Sequence, residues 1–244
     1  MQSATEAHYT SGTYWESRLD DKSDYKVPLA MRVLSDAGIS LSPGVRAVEI
    51  GCGDGAFLFP LMRAFQAKVP DFSLTGYDIS SLAINRARAA AAAKNESRLS
   101  FHTGSAGEVR ERFDIAFVMD VVEHVTDPFA FLGAVARLAP VIVVHLPIEQ
   151  SLAHQLMGRP SRSYDAYHHI HFFSIDSMRI LLREAGLSIA SMRYTAGSPE
   201  VLHLTGGWTL QIARRLRYAA YRFVPRVSSL LMGGSVMMAL QPTR

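Results

Sequence analysis

The stretch Val45-Arg46-Ala47-Val48-Glu49-Ile50-Gly51-Cys52-Gly53-Asp54-Gly55-Ala56 changes character at Gly51. Six residues carrying β-branched Val45, Val48 and Ile50 read as a buried strand. Three glycines within the next five residues then let the backbone turn tightly and approach a ligand before a helix begins. Strand, glycine turn and helix in that order make a nucleotide-type site. The glycines alone are ambiguous, because Gly51, Gly53 and Ala56 also satisfy the G-x-G-x-x-G/A dinucleotide fingerprint. Glu49 separates the readings: a carboxylate two residues before the first glycine would repel a pyrophosphate and suits a cationic amino-acid group. Cys52, inside the turn, reads as a small residue fitting a tight space rather than a redox group.

Outward from this turn the spacing predicts a helix over Ala56–Lys68, a strand over Phe72–Tyr77 and a helix over Ser81–Asn95, the last rich in alanine. Leu99–Thr103, Ile115–Met119 and Val141–Leu146 read as further strands. Asp127–Leu138 is the helix between the last two, with Pro128 in its first turn, where a missing N–H does no harm. Short apolar runs alternating with helix-period segments are the pattern of βαβ units, hence an α/β fold with a mostly parallel sheet. Ser174 is a good N-cap for a helix running to Glu184 and stopped by Gly186. Leu187–Tyr194 and Gly234–Leu240 predict the final strands. Upstream, Tyr25–Ala37 has helical spacing and is expected to lie against the sheet edge or over the site. Between Pro147 and Ser174 the alternation lapses, so Glu149–Tyr167 reads as a long loop that covers substrate, with a disordered surface insertion as the alternative.

The 244 residues suit one α/β domain with a small appendage rather than two full domains. A single cysteine excludes a disulfide framework and points to a cytoplasmic, reducing setting. Met1–Asp20 lacks the apolar core of a signal peptide, and no apolar run reaches the ~20 residues that span a bilayer. The net charge of +3 is unevenly spread. From Glu200 to Arg244 six Arg face one Glu, a net +5, which leaves −2 for residues 1–199.

An acidic residue at the end of the second strand, Asp78, is placed to accept hydrogen bonds from a ribose hydroxyl pair; the alternative is an N-cap of the following helix. Glu49-Ile-Gly-Cys-Gly-Asp-Gly55, Tyr77-Asp78-Ile-Ser80 and the run from Asp114 through Glu123-His124 to Pro128 resemble the class I S-adenosylmethionine-dependent methyltransferases, in order and at family-like spacing over about residues 40–195. The resemblance implies a seven-stranded Rossmann-like sheet with an antiparallel last strand and S-adenosylmethionine over the strand ends. It places Glu49 and Gly51 by the methionine part, Asp78 on the ribose, Ile79 against the adenine, Ser105 and Ala106 at the adenine edge, and Gly53, Gly55 and Asp120 among the cofactor-binding residues. Many relatives have Asp where this chain has Ser105, and serine bonds the adenine amino group more weakly.

Methyl transfer from a sulfonium is an in-line displacement and needs no protein nucleophile, but a hydroxyl acceptor must lose its proton to a base or a metal. Asp120, Glu123 and His124 follow the fourth strand, and Tyr167-His168-His169-Ile170-His171 supplies three more histidines. Glu123, His124, His168, His169 and His171 are the candidate catalytic residues, and His145, at the end of the fifth strand, is a further crevice residue. In the ubiquinone-biosynthesis O-methyltransferases and the small-RNA 3′-end methyltransferases a similar segment binds a divalent metal. That resemblance nominates Asp120, Glu123, His124 and His171 as ligands; a Glu-His pair that only caps a helix is the alternative. The expected activity is O-methylation of a small or lipophilic acceptor, with metal-assisted RNA 2′-hydroxyl methylation and a nicotinamide-dependent oxidoreductase as alternatives.

Residues 208–226 carry Arg214, Arg215, Arg217, Arg222 and Arg226 without an acid, and Trp208, Ile212, Leu216, Ala219 and Phe223 recur at near-helical spacing. Three roles are open: a lid on the domain's own core, peripheral docking on an anionic membrane surface, and nucleic-acid binding. The last is disfavoured by the lack of a wider basic stripe or aromatic platform. The expected organisation is a helical cover at 1–40, a methyltransferase domain at 41–199 and 233–244, and a basic helical insertion at 200–232.

Overall fold

Strands β1 (Val45–Ile50), β2 (Phe72–Asp78), β3 (Leu99–Thr103), β4 (Ile115–Met119), β5 (Val141–Ile148), β6 (Leu187–Thr195) and β7 (Gly234–Pro242) share one sheet. Their order is β3-β2-β1-β4-β5-β7-β6. The computed structural model describes residues 4–11, 25–195 and 208–243, without the side chains of residues 4, 6, 208–210, 213 and 214. Trp208 and Arg214, counted on the predicted basic helix, therefore contribute no described side chain, and the expected boundary near 199 and most of Met1–Asp20 lie outside the described residues.

Strands β1 to β5 pair parallel, and β7 runs antiparallel to both β5 and β6. This is the Rossmann-like arrangement with one reversed strand that the sequence led us to expect. Alternate strand residues serve opposite faces. Val45, Ala47, Phe117, Val143 and Met237 pack with helices α2 (Lys26–Asp36), α3 (Leu58–Gln66) and α4 (Ser81–Ala93). Val48, Ile50, Val118, Val144 and Met238 pack on the other face with α5 (Pro128–Leu138) and α8 (Ile175–Glu184). Both faces are buried, which is why the central strands read as continuous apolar runs. Burying a side chain such as Leu61 or Phe65 of α3, each with no exposed surface, stabilises the layer by about 1.5–3 kcal/mol.

The caps follow sequence chemistry. Asp127 accepts from Ala130 N–H with Pro128 in the first turn of α5, and Ser174 and Ser177 form a reciprocal capping box on α8, each cap worth about 1 kcal/mol. The segment predicted as an irregular cover differs: Glu149–Tyr167 folds into α6 (Leu152–Leu156) and α7 (Arg159–Tyr167). Ser151 caps α6 by accepting from His154 N–H, and Gly158 turns between the helices in the left-handed region. The polar composition hid two short helices, the first capped by Ser151 and the second closed at its C-terminus by left-handed His168, whose N–H donates to Tyr164 O. The N-terminal expectation divides between two elements. Helix α2 packs against the sheet, with Ser191 Oγ–H donating to Val33 O at 2.6 Å, whereas α1 (Ala4–Thr10) reaches the crevice. The C-terminal arginine-rich stretch forms α9 (Trp208–Phe223) and α10 (Pro225–Met232) before β7.

Candidate functional site

At the end of β1 the chain turns through Gly51, whose φ of +79° lies in the region glycine tolerates without strain. Gly51 N–H and Cys52 N–H both donate to Tyr77 O, at 2.7 and 3.0 Å, pinning the turn to the end of β2. A Cβ on Gly51 would sit 2.5 Å from Val121 Cγ2, so only glycine fits. Beneath the turn, a Cβ on Gly76 would lie 2.6 Å from Cys52 Sγ. Burial, then the nearby Glu49 and Asp78 charges, push the Cys52 thiol well up, in keeping with a packing role.

Asp78 joins turn and strand. Its Oδ2 accepts from Gly53 N–H and its Oδ1 from Ser80 N–H, each at 2.8 Å. The N-cap role considered for Asp78 belongs to Ser80, whose Oγ accepts from Ala83 N–H at 3.3 Å. Glu49 is buried at the end of β1, and Ile79 is exposed beside Asp78. Past β3, Ser105 is engaged by Glu108: its N–H and Oγ–H donate to Glu108 Oε2 at 2.7 and 2.8 Å. Ala106 is buried in the second core cluster. Because β1, β2 and β3 are parallel, these residues and Gly55 line the C-terminal edge of the sheet, where α/β folds bind ligands.

Across the crevice, Asp120 follows β4 with a positive φ of 56°. Its Oδ1 lies 2.5 Å from His145 Nδ1 and its Oδ2 2.6 Å from Lys26 Nζ. Burial would raise this carboxyl, but the His145 and Lys26 charges outweigh it and hold Asp120 well below the usual carboxylate range. His145 thus donates from Nδ1, and its buried Nε2 has no hydrogen-bond partner among the described residues.

Three residues on, Glu123 is fully buried, and neither carboxylate oxygen has a hydrogen-bond partner among the described residues. Burial, reinforced by the Asp120 and Glu149 charges, pushes its pKa well up. Its backbone carbonyl accepts from Ile170 and His171 N–H at 3.0 and 3.1 Å, which draws the histidine loop onto the end of β4. His124 Nδ1 lies 3.2 Å from His168 O. A carbonyl only accepts, so Nδ1 carries the proton and Nε2 keeps its lone pair. Burial, then the nearby His169, lower the His124 pKa to about 4. His169 Nδ1 sits 2.6 Å from Glu149 Oε2, and Ser163 Oγ–H donates to Glu149 Oε1 at 2.7 Å. These bonds overcome burial and hold Glu149 below its ordinary value.

Glu123, His124 and His169 offer one ligand atom each within 4.8 Å of one another. The expected ligands Asp120 and His171 are engaged elsewhere: Asp120 with Lys26 and His145, and His171 Nε2 with Val125 O at 2.9 Å. His168 stands apart, its ring stacked 3.7 Å from His8. The candidates therefore divide into one convergent cluster and two histidines that order the loop around it.

Sequence reading missed Lys26, Tyr9 and Glu149 as site residues. Tyr9 OH donates to Tyr167 O at 2.6 Å and lies 3.1 Å from His124 Nδ1. Glu149 had a usable signal, since it directly follows a parallel strand on the ligand-binding edge. Lys26 and Tyr9 had none, because their partners lie about a hundred residues away in sequence.

A family model for the methyltransferase domain matches residues 23–192. A ubiquinone biosynthesis O-methyltransferase from Rhodopseudomonas palustris (strain BisA53) is 38% identical over 99 residues, covering 39% of this chain and 36% of the relative. One from Bradyrhizobium sp. (strain ORS 278) is 32% identical over 141 residues, 52% of this chain and 53% of the relative. The matches thus span about a third to a half of these relatives. Among solved structures, a geranyl diphosphate C-methyltransferase from Streptomyces coelicolor superposes with TM-score 0.68 at 12% identity, covering 99% of both chains. Magnesium protoporphyrin IX methyltransferase from Synechocystis PCC 6803 gives 0.63 at 16% identity, covering 98% of both; at these identities the likeness is one of fold. With a family model over most of its length, the reversed-strand sheet and a glycine turn clamped to an acidic strand end, the chain belongs to the class I S-adenosylmethionine-dependent methyltransferase family.

Proposed function

We propose that this protein transfers the methyl group of S-adenosylmethionine to an oxygen of a small or lipophilic acceptor. The observation that carries the reading is the crevice edge itself, where buried Glu49 and Asp78 flank a glycine turn that leaves no room for a Cβ at Gly51. Two carboxylates with a bare backbone between them fit a ligand with an ammonium at one end and a ribose at the other. In this reading Glu49 and the turn through Gly51, Gly53 and Gly55 hold the amino-acid part, Asp78 the ribose, and Ile79, Ser105 and Ala106 the adenine. When bound, the cofactor supplies an electrophilic methyl on a sulfonium.

The remaining work is positioning and proton removal. His169 is the best-placed base: Glu149 holds its Nδ1, leaving Nε2 to accept the acceptor's proton, the acid-His arrangement of general-base catalysis. Glu123 and His124 sit beside it, and Lys26 and His145 fix the Asp120 carboxylate after β4. His168 and His171 order the loop. In domain terms 1–40 is the cover, 41–199 and 233–244 the catalytic body, and 200–232 an insertion.

Calorimetry with S-adenosylhomocysteine and with NAD tests the reading. Binding of the first and no response to the second is expected; tight NAD binding with no response to the first would overturn it. Transfer of labelled methyl to a panel of phenols and alcohols then reports the acceptor, with His169→Gln expected to lower kcat by about 10²–10⁴.

A second reading adds a divalent metal, supported by the close approach of Glu123, His124 and His169. One carboxylate and two imidazoles suit Mn or Zn, and a bound cation would lower the proton affinity of the acceptor hydroxyl. Elemental analysis of the purified protein, and loss of activity on chelation restored by Mn, would support it; full activity after exhaustive chelation would remove it.

A further inference from the structure

The two C-terminal helices are built inside out. On α10, Ser228 and Ser229 are buried at 2% exposure, while Val227, Leu230 and Leu231 are 53%, 63% and 45% exposed. On α9, Tyr221 is buried and Ile212, Leu216 and Phe223 are 47%, 64% and 81% exposed. At 3.6 residues per turn, Ile212, Leu216 and Phe223 fall within about 40° of one another on the side opposite Tyr221. Arg215 and Arg222, also exposed, flank that stripe. Helix α6, which packs against α10, adds Leu152, Leu156 and Met157, at 56%, 79% and 49% exposure. An apolar face that a helix turns away from its own core marks an interaction surface.

Charge selects the occupant. Residues 208–243 contain no Asp or Glu and carry Arg214, Arg215, Arg217, Arg222 and Arg226; on α7, Arg159 and Arg162 are exposed as well. Exposed aliphatics with a cationic rim match an anionic bilayer surface, into which the aliphatics insert while the guanidiniums meet lipid phosphates. Arg226 meets Asp176 at 3.6 Å, but the body of these cations faces no acid of its own segment, and a second copy of the chain would bring them against one another. No helix among the described residues is long and apolar enough to cross a membrane, so the attachment lies in the interface plane. We propose that α6, α9 and α10 form a docking surface for anionic membranes. This goes beyond the methyl-transfer reading and does not rest on it. If both hold, the surface sets the cover helices α6 and α7, which supply His154 and Ser163 to Glu149, against the lipid phase from which a lipophilic acceptor would enter.

The test is co-sedimentation of the full chain with phosphatidylglycerol/phosphatidylcholine vesicles and with phosphatidylcholine alone, at about 50 and 500 mM salt. Binding to the anionic vesicles is expected, with strong loss at high salt and on neutral lipid. Arg215→Gln with Arg222→Gln should weaken partitioning about thirtyfold, at about fivefold per arginine. Leu230→Ser with Leu231→Ser should weaken it at least tenfold with unchanged circular dichroism and S-adenosylhomocysteine affinity. Absence of pelleting, or equal pelleting on neutral lipid, would overturn the proposal. So would a concentration-dependent dimer in sedimentation velocity that the leucine variant abolishes, which would assign the face to a second copy.

Discussion

Replacing Asp78 by Asn changes one atom and tests both roles of this side chain. Each carboxylate oxygen accepts from a backbone N–H at 2.8 Å, Gly53 on one side and Ser80 on the other, and all three residues are buried. A hydrogen bond to a charged acceptor contributes about 1.5–3 kcal/mol net. Asparagine keeps one acceptor and turns an NH2 toward the other N–H, so one bond is lost, a buried donor faces a donor, and the surviving bond becomes neutral. The sum is about 3 kcal/mol. For a chain of this length, at about 2–4 °C per kcal/mol, the ligand-free Tm should fall by about 6–12 °C. Loss of the charged acceptor for a ribose hydroxyl pair should weaken S-adenosylhomocysteine binding by about ten- to a hundredfold. Scanning fluorimetry of the free protein and calorimetry with the ligand read the two effects separately. A Tm within about 1 °C of wild type would refute the clamp between turn and strand; a lowered Tm with unchanged affinity would leave Asp78 as a clamp and remove it from the cofactor site.

Gly51→Ala forces a left-handed residue and a clash with Val121 Cγ2 at 2.5 Å, and should cost about 2–4 kcal/mol, seen as a lower urea midpoint. A midpoint equal to wild type would show that the turn relaxes freely. Lys26→Met strips Asp120 of an ion pair at 2.6 Å. Since Asp120 keeps about a third of its side chain exposed, the loss should be about 1–3 kcal/mol, below the usual figure for a fully buried pair. Asp120 titrates low in the folded protein, so its contribution is present above the ordinary carboxylate range and disappears on acidification through and below it. The variant should therefore show a flatter acid limb, and an unchanged limb would contradict this assignment. Glu123 has the opposite sign. Its folded pKa lies above the ordinary 4.5, so the native state keeps a proton that the unfolded chain releases, and stability falls as pH rises past that value. In metal-free protein Glu123→Gln should gain stability at pH 8 relative to pH 5, judged by urea midpoints; parallel pH profiles for variant and wild type would argue that Glu123 is ionised in the fold.

Much of the architecture could be read from local pattern, because strand and cap chemistry is local. β1, β3 and β4 have the predicted bounds, Ser174 caps its helix as expected, and Pro128 lies in the first turn of α5. The glycine turn and Asp78 were legible because the strand-turn-helix context sits within about thirty residues. Helices α6 and α7 were not: Arg159–Tyr167 has little apolar signal, and no side chain caps its first turn. Nor was the environment of each histidine in the loop. His168, His169 and His171 are equivalent in sequence, and what separates them is the partner each ring meets, Glu149 at 2.6 Å for His169, Val125 O for His171 and the His8 ring for His168.

The direction of the arginine-rich helix follows the same logic. Its amphipathic period was evident from Ile212, Leu216 and Phe223, but a period says only that two faces differ, not which one the domain buries. The tertiary structure settled that by burying Tyr221, Ser228 and Ser229 and leaving the aliphatics outside. The sequence by itself determined the strand and helix segments and the glycine turn, since those rest on interactions between near neighbours along the chain, and the family resemblance carried the sheet with its reversed strand. Only the tertiary structure decided which histidine meets a carboxylate, that Lys26 neutralises Asp120, and which way the C-terminal helices face, because each depends on groups brought together from distant parts of the chain.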